Sequence, residues 1–297
     1  MERIYFNAAD GVELNGLLEI PEKKTEDIII SVHGMTSNCL NKREDVIGRE
    51  AKKRKIAYLS FNNRGQEIAR YTKKYDDSGK KEKRIVGTAF EDVLDGYYDI
   101  KGAIQYAIDL GYENIYLQGH SLGCTKIVYT YQLLKKQKET EILDKIKKVI
   151  LLSLIDIQGV QRLFLGNSYS LMLEYALNKE AEGKTIELMP EKAFLHPISV
   201  GSYLRYFKYN QEIHFARYGE EEYTYPELNA IQVPLMMRFG NDKEMVIQKM
   251  DVLIPRLKEK IKNKKLNVGY IDGANHSYQG KEDILAKEIM HFIEDRK

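Results

Sequence analysis

The sequence predicts an α/β fold, a mostly parallel central sheet flanked by helices, with a helical segment inserted late in the chain. Three observations carry that prediction. Short apolar runs alternate with longer runs of helical periodicity, the pattern that covers both faces of a parallel sheet with helices. The pentapeptide Gly119-His120-Ser121-Leu122-Gly123 stands between such a strand and such a helix. The stretch Gln158 to Leu228 separates two core strands and is far longer than an ordinary connection.

Taken in order, Ile4 to Asn7 and Val12 to Ile20 read as two short strands around the turn Asp10-Gly11. Asp27 to Val32 contains Ile28-Ile29-Ile30, a continuous apolar run of the kind buried on both faces. Asn41 to Lys53 carries an apolar stripe on a polar background and reads as a helix, and Ile56 to Phe61 is the next strand. Ile68 to Gly87 reads as a long, charged, mobile loop. In it Lys73, Lys74, Lys80, Lys81, Lys83 and Arg84 outweigh Asp76, Asp77 and Glu82, so a lid or a basic rim near the site entrance is one reading and a merely solvated loop the other. Asp92 to Leu110 is a helix, with Val93, Tyr97, Ile100, Ile104 and Ala107 near helical spacing. Asn114 to Gln118 is a strand, Cys124 to Leu134 a helix, and Lys148 to Leu154 another buried strand. Pro234 to Phe239, Leu266 to Ile271 and the helix Lys281 to Glu294 complete the pattern. Residues 1–157 and 229–297 then form the core and 158–228 an inserted cap or lid over the mouth of the sheet.

Composition narrows the class. The chain has 297 residues, 43% hydrophobic and 30% charged, which suits a globular protein with a large core. A formal net charge of +2 gives no reason to expect a nucleic-acid partner. No run approaches the ~20 apolar residues of a membrane span. Two cysteines far apart in sequence, Cys39 and Cys124, argue against a disulfide framework. No apolar stretch follows the N-terminus as a secretory signal would, so the cytoplasm is expected. Histidines and cysteines are scattered without ligand spacing, so neither a metal nor a cofactor is expected.

The pentapeptide carries the chemistry. A serine on a sharp strand-to-helix turn needs small neighbours, and the helix N-terminus favours developing negative charge. Ser121 is the expected nucleophile. A serine hydroxyl is weak at neutral pH and needs a histidine base held by an acid. Of six histidines, His276 alone falls in a loop just after the last strand, where an open sheet places its site. His33 reads as a residue that braces its loop. The acid is expected after the strand ending at Phe239, where Asp242 is nearer the strand end and Glu244, one residue beyond Lys243, is the second candidate. Two backbone amides, of Leu122 and of Met35 in the loop Val32-His33-Gly34-Met35, are expected to form the oxyanion hole.

Together, Val32-His33-Gly34-Met35, Gly119-His120-Ser121-Leu122-Gly123, Gly240-Asn241-Asp242 and Gly273-Ala274-Asn275-His276-Ser277 resemble the α/β-hydrolase superfamily over nearly the whole chain. Finer features are similar to the DUF1749 group of serine hydrolases: Asn62-Asn63-Arg64-Gly65, Gly87-Thr88-Ala89-Phe90-Glu91, Asp99-Ile100-Lys101 and Asn275-His276-Ser277-Tyr278. One departure is the spacing Gly240-Asn241-Asp242, where many relatives have two residues between glycine and aspartate. The resemblance implies a Ser-His-Asp triad and hydrolysis of small carboxylic esters through an acyl-enzyme. Thioester hydrolysis, acyl transfer or peptide hydrolysis on the same triad, and a non-catalytic ligand receptor on the same fold, remain the alternatives.

Overall fold

The computed structural model describes residues 1–295. Among them, eight strands form one sheet in the order β1-β2-β4-β3-β7-β8-β9-β10. β1 (Glu2–Asn7) and β2 (Glu13–Glu19) form an antiparallel pair, and β2 runs antiparallel to β4 (Ala57–Asn62). From β4 onward the sheet is parallel: β3 (Asp27–Val32), β7 (Asn114–His120), β8 (Ile146–Leu152), β9 (Leu235–Gly240) and β10 (Leu266–Ile271).

The period of two along each strand divides the core between the faces. Ile28, Ile30 and Val32 of β3 face the cluster built with α2 (Gly96–Asp109) and α3 (Leu122–Gln137). Ile29 faces the opposite cluster, built with α1 (Lys42–Lys53) and α10 (Glu282–Glu294). Helix α1 begins where the Asn41 side chain accepts from the Glu44 amide at 3.2 Å, satisfying one of the free amides of the first turn. The short α4 (Thr140–Lys145) joins α3 to β8.

The charged stretch after β4 is not a loop. β5 (Arg70–Tyr75) and β6 (Lys81–Val86) pair antiparallel, from Arg70 opposite Val86 to Tyr75 opposite Lys81. Asp76 closes the turn by accepting from the Ser78 and Lys80 amides at 3.0 and 2.9 Å. Both faces of this ribbon are polar and much of it is exposed, so the alternation that identifies a half-buried strand is missing. It lies along β2, where Lys73 pairs with Glu13 at 3.2 Å.

Between β8 and β9 run α5 (Ile157–Leu165), α6 (Tyr169–Ala181), α7 (Val200–Leu204) and α8 (Pro226–Asn229). This stretch builds its own apolar cluster from residues such as Ala176, Phe194, Val200, Tyr203, Tyr206 and Phe207, and that cluster reaches Leu122 and Ile155 of the core. Its later part does not stand apart: Phe215, Tyr218, Tyr225 and Leu228 pack into the main core beside the sheet. After β9, α9 (Met250–Lys260) precedes β10. Among the described residues, no helix is long and apolar enough to cross a membrane.

Candidate active site

At the carboxyl ends of the parallel strands lies a cavity of about 540 Å³, lined on one side by Ser121, His120 and His276 and on the other by Val160, Phe194 and Leu195 of the inserted stretch. Ser121 sits between β7 and α3 with φ 53° and ψ −122°, a conformation costly for a residue with a Cβ. The surrounding contacts hold it there. Its amide donates to the Leu152 carbonyl at 2.8 Å, and its carbonyl accepts from the Cys124 amide at 3.0 Å. The flanking glycines are required by space: a Cβ on Gly123 would come within 2.1 Å of the Val32 carbonyl oxygen, and one on Gly119 within 2.7 Å of the Cys124 nitrogen.

The loop after β3 lies against the serine, so that a Cβ on Gly34 would meet the Ser121 Cβ at 2.9 Å. Met35 and Leu122 both line the cavity. Neither of their amides has a hydrogen-bond acceptor among the described residues. His33 braces this loop. Its Nδ1–H donates to the Gly34 carbonyl at 2.8 Å, and its Nε2 accepts from the Asn63 amide at 3.1 Å. That tautomer is neutral, and burial lowers the His33 pKa to about 3.

Behind His33 stands a support that sequence reasoning missed. The wholly buried Lys126 ammonium bonds Asn63 Oδ1 at 2.9 Å and pairs with the buried Glu91, whose second oxygen accepts from the Tyr206 hydroxyl at 3.2 Å. Arg64 is clamped by Asp99 at 2.7 Å and Asp10 at 2.8 Å. Thr88 accepts from the Thr36 amide at 3.0 Å and donates to the Gly65 carbonyl at 2.8 Å. The short motifs around Asn63, Thr88, Glu91 and Asp99 therefore converge on the loop that presents Met35. Their signal was polar residues at the ends of apolar runs; which of them meet is a matter of tertiary packing.

His276 follows β10, and His120 holds its backbone: His120 Nε2–H donates to the His276 carbonyl at 2.8 Å, the ring centroids 5.0 Å apart. Burial pushes the His120 pKa well below its ordinary value, and nearby Arg43 adds to this. His276 and Ser121 line the same cavity without a hydrogen bond between their side chains among the described residues.

The carboxylate that meets His276 is Glu244, not Asp242. His276 Nδ1–H donates to Glu244 Oε1, which also accepts from the Met245 amide at 2.9 Å. Glu244 Oε2 accepts from the Gly240 amide and the Ser153 hydroxyl, each at 2.7 Å. Ser153 in turn lies 3.0 Å from the Tyr278 hydroxyl, which donates to the Arg238 carbonyl at 2.6 Å. Burial raises the Glu244 pKa, but the hydrogen bond from His276, with the Gly240 and Ser153 donors, outweighs it and holds the group below its ordinary value.

Asp242 is exposed, and the backbone explains why. Its amide donates to the Ala274 carbonyl at 2.9 Å, and Gly240 packs so tightly there that a Cβ would come within 2.2 Å of the same oxygen. That attachment leaves the Asp242 side chain in solvent. Lys243, at φ 50°, then turns the chain so that Glu244 enters the site. The six basic residues from Lys73 to Arg84 are all absent from the cavity wall.

No family model matches the chain, and no curated protein does, so the narrower DUF1749 grouping has no support. Solved structures do match. The esterase Est1E from Butyrivibrio proteoclasticus, in a structure with bound ferulic acid, superposes with a TM-score of 0.62 at 16% identity, covering 97% of each chain. An esterase of Pyrococcus furiosus gives 0.58 at 15% identity, over 98% of this chain and 90% of that one. The carboxylesterase CesB of Bacillus subtilis gives 0.54 at 17% identity, over 99% and 92%. With a mostly parallel sheet, a strained serine at the strand-to-helix turn and these end-to-end superpositions, the chain has the α/β-hydrolase fold.

Proposed function

We propose that the protein is a serine hydrolase of small carboxylic esters, acting through Ser121, His276 and Glu244. The observation that carries this reading is the strained Ser121 in one cavity with His276, whose far nitrogen is bonded to a buried carboxylate. The Glu244 carboxylate keeps the proton of His276 on Nδ1 and leaves Nε2 free to accept one. Ser121 Oγ gives its proton to Nε2 as it attacks the ester carbonyl. The oxyanion of the tetrahedral intermediate takes hydrogen bonds from the Met35 and Leu122 amides; in other hydrolases one such donor is worth about 3 kcal/mol. His276 returns the proton to the departing alcohol; water then attacks the acyl carbon, giving its proton to His276 Nε2, and His276 returns that proton to Ser121 Oγ as the carboxylic acid leaves. The serine–histidine bond forms as substrate binds, since such bonds often tighten only in the complex.

The stretch 158–228 acts in this reading as a cap, because Val160, Phe194 and Leu195 supply an apolar wall. Cys39 and Cys124 are buried and unpaired, which supports a reducing compartment such as the cytoplasm. The test is a fluorophosphonate probe together with p-nitrophenyl ester turnover. The parent protein is expected to label and to turn over, and Ser121→Ala and His276→Ala to lose both while still folding. A loss of only a few fold in either variant would overturn the assignment.

A further inference from the structure

The cavity has two unlike walls. One is apolar and comes mainly from Ile155, Val160, Phe194 and Met245. The other comes from the start of α1 and the segment after His276, with Asn41, Lys42, Arg43, Ser277, Gln279 and Glu282. Arg43 is the unusual member. Its side chain is 5% exposed, yet its guanidinium is only partly used: Nε and Nη2 both bond the same oxygen, Glu44 Oε1, at 3.2 and 2.9 Å. The other Glu44 oxygen is taken by the hydroxyls of Ser31 and Tyr58. Arg43 Nη1 has no partner among the described residues and is not sealed from solvent. Beside it, the Lys42 and Arg43 amides open the first turn of α1, where the Asn41 side chain satisfies Glu44 N instead. Glu282, the carboxylate in the cavity wall, is already engaged by Lys42 at 3.3 Å.

A buried guanidinium with a free fork arm at a helix N-terminus is a place for an anion. We propose that Arg43 and the first turn of α1 form an anion-binding subsite, so that the preferred ester joins an apolar acyl group to an alcohol bearing a carboxylate. This rests on the hydrolase reading above. The alcohol side is assigned because His276 protonates the departing oxygen, and the polar wall continues from His276 through Ser277, Gln279 and Glu282. The acyl group then lies against the apolar wall.

Two measurements test this. The first needs no turnover: binding of 5-hydroxy-2-nitrobenzoate and of p-nitrophenol to the Ser121→Ala protein by calorimetry. The carboxylated phenol is expected to bind at least about 10-fold more tightly, as a charge-assisted hydrogen bond supplies. That difference is expected to vanish in Ser121→Ala/Arg43→Lys, whose single ammonium remains on Glu44 and keeps the buried pair intact. The second is the ratio of kcat/KM for 5-butanoyloxy-2-nitrobenzoate to that for p-nitrophenyl butyrate. Comparing this ratio between the parent and Arg43→Lys cancels the difference in leaving-group reactivity, and it is expected to fall about 10-fold. Equal binding of the two phenols, or a preference unchanged in Arg43→Lys, overturns the subsite whether or not esters are cleaved. Absence of turnover and of fluorophosphonate labelling, with the binding preference present, overturns the hydrolase reading and leaves the subsite standing.

Discussion

At the scale of single residues, the acid beside His276 shows how a two-residue difference is resolved. Asp242 and Glu244 are both carboxylates after the same strand, and a shorter reach favours the first on sequence grounds. The amide of residue 242 is bound to Ala274, and the turn at Lys243 brings in the longer side chain, which is met by Gly240, Met245, Ser153 and His276. We expect Glu244→Gln to lower kcat/KM for p-nitrophenyl butyrate about 10³- to 10⁴-fold, since an amide favours the wrong histidine tautomer. Asp242→Asn is expected to stay within about twofold of the parent, as an exposed substitution should. The opposite ranking would return the acid to Asp242. Lys126 makes a second prediction. Lys126→Met leaves Glu91 buried without its partner, which costs about 3–5 kcal/mol. A urea midpoint unchanged by that substitution would show that the pair does not support the loop bearing Met35.

At the scale of elements, the turn from β7 into α3 is set by space rather than by helix propensity. Gly123 is the second residue of α3, where alanine would ordinarily be preferred. Here a Cβ would come within 2.1 Å of the Val32 carbonyl, which belongs to the neighbouring strand β3. Gly123→Ala is therefore expected to lower stability by about 1–3 kcal/mol and to reduce fluorophosphonate labelling, because Ser121 and Leu122 must shift with the turn. Melting and labelling measured on one sample check both; a variant as stable and as reactive as the parent contradicts the packing argument. The inserted stretch makes a different kind of prediction. Val160 and Phe194 reach the cavity, whereas Tyr203 and Tyr206 are buried in the stretch's own cluster. Phe194→Ala is expected to shift the preference among p-nitrophenyl esters toward longer acyl chains. An unchanged chain-length profile would remove Phe194 from the acyl wall.

At the scale of the whole molecule, buried histidines dominate the response to acid. Burial lowers the pKa of His33 to about 3 and of His214 to about 4, and pushes that of His120 well below its ordinary 6.5. Each stays neutral in the fold while the unfolded chain takes up a proton from about pH 6.5 downward. The stability they contribute is thus full above that value and is lost as pH falls, by up to about 1.4 kcal/mol per pH unit for each group. Asp156 acts in the opposite direction, since burial raises it to about 6 and the fold binds its proton first. His196, also lowered by burial, acts with these histidines, and Asp95 and Glu19, raised by burial, act with Asp156. With the buried histidines shifted furthest, the urea midpoint is expected to fall from about pH 7.5 to about pH 5. A flat midpoint over that range would contradict the burial of these rings.

How far the chain could be read in advance follows from the range of the forces concerned. Apolar periodicity is local, so the parallel strands and their main helices were legible: β3 and β10 span the expected residues, and α1 starts after the expected Asn41. The turn around Ser121 was legible from its short glycine pattern, although only Gly119 answers a demand made within five residues, at Cys124, while Gly123 answers the Val32 carbonyl across the sheet. His276 was legible because strand order alone places its loop at the carboxyl edge of the sheet. The ribbon of β5 and β6 was not, since both its faces are polar and its pairing leaves no alternation to read. Nor were the choice of Glu244, the second candidate, over Asp242, the Glu91–Lys126–Asn63 support and the half-used guanidinium of Arg43. The first two depend on side chains that meet across many residues of intervening chain, and the third, although Arg43 and Glu44 are adjacent, on how the folded chain buries that pair; in each the energy of a buried charge is set by the partners that surround it.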